Sequence, residues 1–213
     1  MHEHDSCPAM LVVWANIPAE HEADFNRWYD TEHVQERVAI EGFANGARYF
    51  APDGKRRYLG LYRTAALGTF TSAAYKQAFG KQTPWSVANL KRMTDCVRRV
   101  CAITAETGAG TGGWIAFVRL GRAGTAADLE TMAGTGRKLQ TLDGVIATRL
   151  LVPSPELSTP LPTESPVGRL LDPILVVETA TREAAEIARR DARAACGGGG
   201  EDAVLQLMWI LNA

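Results

Sequence analysis

Apolar residues fall into short β-prone runs that alternate with stretches of helical spacing, and the order of these segments occurs twice along the chain. Residues 10–17, Met-Leu-Val-Val-Trp-Ala-Asn-Ile, predict a first strand, which Pro18 ends. Residues 19–39 predict a helix with Glu20, Glu22 and Asp24 early and Arg37 late, an order that complements the helix dipole. Gly42 stops it. Residues 45–51 and 56–64 predict a hairpin about the turn Pro52-Asp53-Gly54-Lys55. Helical spacing returns over 69–79 and 85–97, interrupted near Gly80 to Pro84, and 98–105 predicts a fourth strand. The second pass predicts strands at 113–120, 144–152, 173–179 and 203–211 and helices at 125–142 and 182–196, with a five-proline connection over 153–168.

Each pass has the order β-α-β-β-α-β, the split βαβ or ferredoxin-like arrangement. Glu41-Gly42-Phe43-Ala44 and Asp143-Gly144-Val145-Ile146 mark the same corner in the two copies: an acid, a helix-stopping glycine, then a strand. One unit alone would cover only one face of its sheet, so the other face needs a partner. The last strand is apolar on both parities, which predicts burial on both its faces. The expected fold class is α+β, with two tandem ferredoxin-like βαββαβ units packed as a dimeric-α/β-barrel-like pseudo-dimer. Its expected parts are an N-terminal half at 10–106 carrying the site, a Gly-rich linker at 107–112, and a C-terminal half at 113–213 that is mainly scaffold.

Composition narrows the partners. At 213 residues the chain suits two units of about 100 each. A net charge of −1 gives no general attraction to nucleic acid or anionic membrane, so neither is an expected partner. The clusters Lys55-Arg56-Arg57 and Arg98-Arg99 read as strand-edge or helix-end charges. No apolar run reaches the roughly 18 residues of a bilayer span, and the N-terminus has no basic region followed by an apolar core. Cys7, Cys96, Cys101 and Cys196 form no C-x-x-C pair and read as reduced thiols of a cytoplasmic protein. His2, His4 and Cys7 could gather a metal adventitiously, but a frayed terminus is the better reading, and no metal site is expected. A small-molecule substrate is the expected partner, and a homodimer is compatible with the chain.

Candidate chemistry concentrates in residues 25–33, Phe-Asn-Arg-Trp-Tyr-Asp-Thr-Glu-His, which combine aromatics, a carboxylate and the one histidine far from the N-terminus. At ~100° per residue, Phe25, Trp28, Tyr29 and Glu32 share a helix face and His33 lies about 80° round from Phe25. Tyr29, Glu32 and His33 are the candidate catalytic residues. An imidazole suits proton transfer at neutral pH, a phenol can donate to a developing oxyanion, and Glu32 could orient the imidazole. The competing structural reading makes Trp28 and Tyr29 core aromatics and pairs Glu32 with Arg37 or Arg48. Arg27 and Asp30 read as solvated. Candidate substrate-binding residues are Trp28, Arg48, Asn16, Tyr62 and Trp85, with Arg48 notable because a charge within a strand needs a protein or ligand partner. Nucleotide-binding glycine loops, the zinc-protease helix motif and the serine-hydrolase elbow are all absent.

The pattern Phe25-x-x-Trp28-Tyr29-x-x-Glu32-His33, followed by Gly42-Phe43 and Ala47-Arg48-Tyr49, resembles the EthD-like branch of the dimeric α+β barrel superfamily over residues 10–105. Gln35 and Glu41 stand where relatives often have prolines. The resemblance implies a barrel with a pocket between sheet and helices, His33 as its acid/base and Tyr29 as its neighbour. It also implies chemistry from cofactor-free cyclases, lyases, isomerases and quinone-forming monooxygenases to haem binding. The first helix of the second pass, 125–142, has no aromatic, histidine or Glu-His pair, so the site is expected in the first half. The leading expectation is a cofactor-independent lyase, isomerase or cyclase acting on a small apolar aromatic or polyketide-like molecule. The alternatives are a non-catalytic small-molecule or haem-binding protein, with a single axial histidine, and a structural oligomerisation domain.

Overall fold

A computed structural model describes residues 6–197 and 199–213; His2 and His4 lie outside them. The first half comprises β1 (Ala9–Asn16), α1 (Glu22–Trp28), α2 (Val34–Val38), β2 (Phe43–Phe50), β3 (Tyr58–Thr64), α3 (Ala73–Gly80), α4 (Pro84–Arg92) and β4 (Thr94–Gly108). The second half comprises β5 (Trp114–Arg119), α5 (Ala126–Leu139), β6 (Val145–Pro153), β7 (Ile174–Thr179), α6 (Arg182–Cys196) and β8 (Asp202–Asn212). The eight strands close into one antiparallel barrel in the order β1-β3-β2-β8-β5-β7-β6-β4. Within each half the strands therefore lie in the same order, β4-β1-β3-β2 and β8-β5-β7-β6.

The long strands β4 and β8 join the halves. The first part of β4 pairs with β1 and its second part with β6, across a bulge between Ile103 and Ala105. In the same way β8 pairs first with β5 and then with β2. This double duty explains why β4 begins at Thr94 and ends at Gly108 (15 residues), although 94–97 has helical spacing and 107–108 a linker composition. A closed barrel leaves no unpaired edge. Burial on both faces of β8 does not hold: only Ala203 and Leu205, which share the barrel-facing side, are buried, and its second part is half-buried with Met208 41% exposed.

Strand alternation separates three apolar layers. Val12 and Trp14 of β1, Leu61 of β3, Phe117 of β5 and Val176 of β7 point into the barrel and fill it. Leu11 and Val13 face the first-half helices. Val118 and Val177 face α5 and α6, where Ala188 and Ala192 allow close approach to the sheet. Side-chain caps start the helices that follow loops: Ser72, Thr83, Thr125 and Thr181 each accept a backbone N–H of the first turn. The corner glycines Gly42 and Gly144 have φ of +94° and +81°, conformations that favour glycine. Their carbonyls accept matching 2.8 Å bonds from Ala65 and Ala180.

The predicted helix over 19–39 is not continuous. A short 3-10 turn (Ala19–His21) precedes α1, and a wide π-turn spans Tyr29–His33 before α2. The helix expected at 85–97 stops at Arg92. Arg98 and Arg99 are not edge charges: they sit mid-strand in β4 at 4% and 2% exposure. They hold the proline-rich connection, which crosses from the second half onto the first. Arg98 donates to the Leu157 and Thr159 carbonyls at 3.0 Å, and Arg99 pairs with Glu164.

Candidate functional site

The π-turn decides which side chains of the 25–33 motif meet. Its i→i+5 bond, from the Val34 N–H to the Tyr29 carbonyl, inserts one residue into the helical repeat. Tyr29 and His33 are then both buried against the sheet, Asp30 reaches the sheet residues Arg48 and Trp209 to one side, and Glu32 turns toward α4. The imidazole lies tilted against Trp28 (centroids 4.3 Å apart) and edge-on to Tyr29 (5.1 Å) and Tyr62 (6.4 Å). Trp28 is fixed by its indole N–H, which donates to Ser86 at 3.0 Å. Gly60 makes the arrangement sterically feasible, because a Cβ there would lie 3.5 Å from both the Tyr29 and Tyr62 hydroxyls and 3.1 Å from the Tyr62 ring.

A cavity of about 40 Å³ opens beside this cluster, walled by Tyr29, His33, Arg37, Tyr75, Arg98 and Leu161. Phe79, 46% exposed, and Gln82 form its outer rim. The volume corresponds to about one or two waters. Two buried polar atoms of this neighbourhood, His33 Nδ1 and Arg37 Nε, have no hydrogen-bond partner among the described residues, whereas the Tyr62 hydroxyl is engaged by that of Tyr29. Buried polar groups are ordinarily satisfied, so two orphans beside one cavity make it the candidate site.

The electrostatics are one-sided. Burial holds the His33 pKa well below its usual value, with the Arg37 and Arg48 charges adding to the effect, so the imidazole is neutral at physiological pH. Burial raises Tyr29, and raises Tyr62 well above the ordinary phenol range, so both hydroxyls keep their protons. Tyr75 accepts from Arg98 at 3.1 Å.

Other sequence candidates lie elsewhere. Glu32 reaches neither His33 nor an arginine; it accepts from Thr83 and from Ser86 (3.2 Å), tying the π-turn to the start of α4. Arg48 borders the cluster with its guanidinium 4.4 Å over the Tyr29 ring, but it is already matched by Asp30 and by Asn26 at 2.8 Å. Asp30, expected to be solvated, also accepts from Trp209 of β8 at 2.7 Å. Arg27 is exposed as expected. Trp85 donates to Asp24 at 3.1 Å, bracing α4 against α1. Asn16, beyond the barrel-filling Trp14, holds Lys55, Arg57 and Asp95 at the end of β1. Neither Trp85 nor Asn16 reaches the cavity. The residues that sequence reasoning missed are Arg37, Tyr75 and Arg98, which are scattered over α2, α3 and β4, and Leu161, which arrives from the other half. The intrachain periodicities carry no signal that assembles them.

A larger cavity, about 440 Å³, lies between α5 and α6 and is lined by Thr135, Leu139, Asp191 and Ala195 among others. It contains no unpartnered buried polar atom, which is why the smaller chamber is the better candidate. No group of three or more His, Cys, Asp or Glu among the described residues could hold a metal ion. No helix among them is long and apolar enough to cross a membrane.

No family model and no curated protein matches the sequence. Solved structures do match. An anthrone oxidase-like protein superposes with TM-score 0.67 at 11% identity over 100% of this chain and 95% of its own. A candidate monooxygenase of Fusobacterium nucleatum subsp. nucleatum gives 0.64 at 10% identity over 97% and 95%. A haem-binding protein of Thermus thermophilus gives 0.53 at 10% identity over 95% and 92%. At these identities the likeness shows the fold alone. Haem does not fit the chamber at His33 in this arrangement. The chamber at His33 is far below the several hundred Å³ of a cofactor pocket, and the α5–α6 cavity is lined by no histidine, cysteine, methionine or tyrosine. The chain has the fold of the dimeric α+β barrel proteins.

Proposed function

We propose that this protein is a cofactor-independent proton-transfer enzyme, a lyase, isomerase or cyclase of small aromatic or polyketide-like molecules. In this reading it is an EthD-like barrel that arose by tandem duplication of a ferredoxin-like unit. The observation that carries the reading is the meeting of a neutral buried imidazole, the protonated Tyr29 phenol and an unpartnered guanidinium nitrogen around one small chamber.

His33 takes a proton from a carbon acidified by a neighbouring carbonyl. Tyr29 donates a hydrogen bond to the enolate oxygen as charge develops there. The same surroundings that keep His33 neutral make its imidazolium a good acid, so the proton is handed back to another carbon or to a leaving group. Only the reacting end of such a substrate fits the chamber, since molecules of this class fill about 300 Å³ or more. Substrate entry in this reading moves Phe79 and Gln82 outward.

The test is solvent-deuterium exchange into a panel of enolisable aromatic ketones and 1,3-dicarbonyl compounds, followed by NMR. His33→Ala is expected to slow exchange by ~10² to 10⁴ while the protein stays folded. Unchanged exchange in that variant contradicts the reading. The names of two structural neighbours, an anthrone oxidase-like protein and a candidate monooxygenase, favour a second reading in which the deprotonated substrate reacts with dioxygen. Oxygen uptake in step with substrate loss would select it.

A further inference from the structure

Six arginines are buried at 9% exposure or less: Arg37, Arg48, Arg98, Arg99, Arg119 and Arg149. Removing a cation from water is costly unless a carboxylate or phosphate compensates it. Four of the six obey this rule within the protein. Arg48 pairs with Asp30, Arg99 with Glu164, Arg119 with Asp172, and Arg149 with both Glu106 and Glu178. The two remaining arginines form no ion pair among the described residues, and both line the chamber beside His33. The guanidinium of Arg98 is bound to carbonyls, to Thr159 and to the Tyr75 hydroxyl, all of them neutral. Arg37 is more extreme: it is 4% exposed, and its Nε has no partner.

We propose that the chamber is a carboxylate-binding site and that the enzyme's ligand is an acidic small molecule whose carboxylate is held by Arg37 and Arg98. The chamber holds a group of carboxylate size and little more. Its polar lining consists of cations and neutral donors. Tyr75 accepts from Arg98, so its own hydroxyl proton is free to donate to the same anion. Arginine presents a planar fork that matches a carboxylate, with two parallel N–H···O bonds. The rest of the ligand would leave past Phe79 and Gln82. This names the substrate class of the proton-transfer reading and rests on it for the chemistry, but the binding stands without it. An anion between Arg37 and His33 would also offset one of the charges that depress the imidazole, strengthening the base as ligand arrives.

Benzoate and acetate, with uncharged benzamide as control, are the probes, and dissociation constants are measured calorimetrically on the full chain. Wild type is expected to bind benzoate and acetate but not benzamide. Arg37→Met is expected to weaken benzoate by about 30-fold or more, and Arg37→Lys, which keeps the charge and loses the fork, by less. Should Arg37→Met fail to fold, the Arg37→Lys weakening carries the test. His33→Asn is expected to keep benzoate affinity within about threefold while deuterium exchange collapses. Benzoate bound equally by wild type and both Arg37 variants, or no binding of either anion by wild type, overturns the proposal. Full exchange activity in His33→Asn with benzoate still bound would instead overturn the proton-transfer reading, so the two failures are distinguishable.

Discussion

The helix that follows the first strand of each half differs sharply between the two. In the first half it is broken at Tyr29–His33 by the π-turn, which brings an imidazole and a phenol onto the sheet. In the second half α5 runs unbroken from a Thr125/Asp128 capping box to Leu139. Counting back from the corner glycines, Thr135 takes the place of His33. Its hydroxyl is satisfied within its own helix by the Thr131 carbonyl at 2.8 Å, and it also receives Cys196 at 3.8 Å. The strand order, corner glycines and corner hydrogen bonds are shared. The lesson is that the two halves share strands and corners, while the unpartnered polar atoms beside a π-turn lie under only the first-half helices.

The comparison can be broken at matched positions. The largest expected difference is in turnover: His33→Ala loses ~10² to 10⁴ in deuterium exchange, whereas Thr135→Val stays within about twofold of wild type. Equal losses would remove the distinction between the halves.

The next difference is in stability. Arg149 of the second half neutralises Glu178, a buried carboxylate that burial pushes up in pKa and that also accepts from the Gly112 N–H at 3.0 Å. Arg149→Met strands that carboxylate and is expected to cost about 3–5 kcal/mol in denaturant unfolding. Arg37→Met breaks no ion pair among the described residues and removes only a longer-range attraction for Glu36, so without ligand it is expected to shift denaturant unfolding far less than Arg149→Met. A large loss in Arg37→Met would make that arginine a structural residue.

The smallest expected effect is pH-dependent. His33 is neutral in the folded protein but protonates near its ordinary pKa of about 6.5 when unfolded. Below that pH the unfolded chain binds the extra proton, so the stability His33 permits is complete above about 6.5 and is lost as pH falls, by up to about 1.4 kcal/mol per pH unit. His33→Asn should flatten this slope below about pH 6.5, read from thermal melts. The second half, which contains no histidine, adds nothing to it.

Much of the architecture is written in local signals. Gly42 and Gly144, the strand alternation of residues 10–17 and the repeated element order predict the units and their pairing before any coordinates. The boundaries fail where a segment serves two neighbours, as in β4, whose first residues have helical spacing but are drawn into the sheet by β1. The site was legible only as far as one helix carries it. Trp28, Tyr29 and His33 do meet, yet an ideal helical repeat also placed Glu32 with them, because nothing in the local sequence announces an i→i+5 turn. Arg48 was correctly marked as needing a partner, and the partner is a carboxylate of the protein. Arg37 and Arg98 were invisible for the opposite reason: what distinguishes them is a partner they lack, and that is a property of the folded surroundings. The proline-rich connection looked like an irregular loop; Leu161 and the Arg98 bonds make it a wall of the chamber.

The proton-transfer chemistry proposed for the first half depends on His33 being a neutral imidazole held beside positive charge. Nitrogen-15 NMR of the histidine side chains across pH 5 to 8 observes this directly and needs no substrate. The His33 imidazole is expected to stay neutral well below the ordinary histidine range. A His33 midpoint at or above about 6.5 would contradict this, showing an imidazole open to water or paired with an acid, and no buried base in the first half.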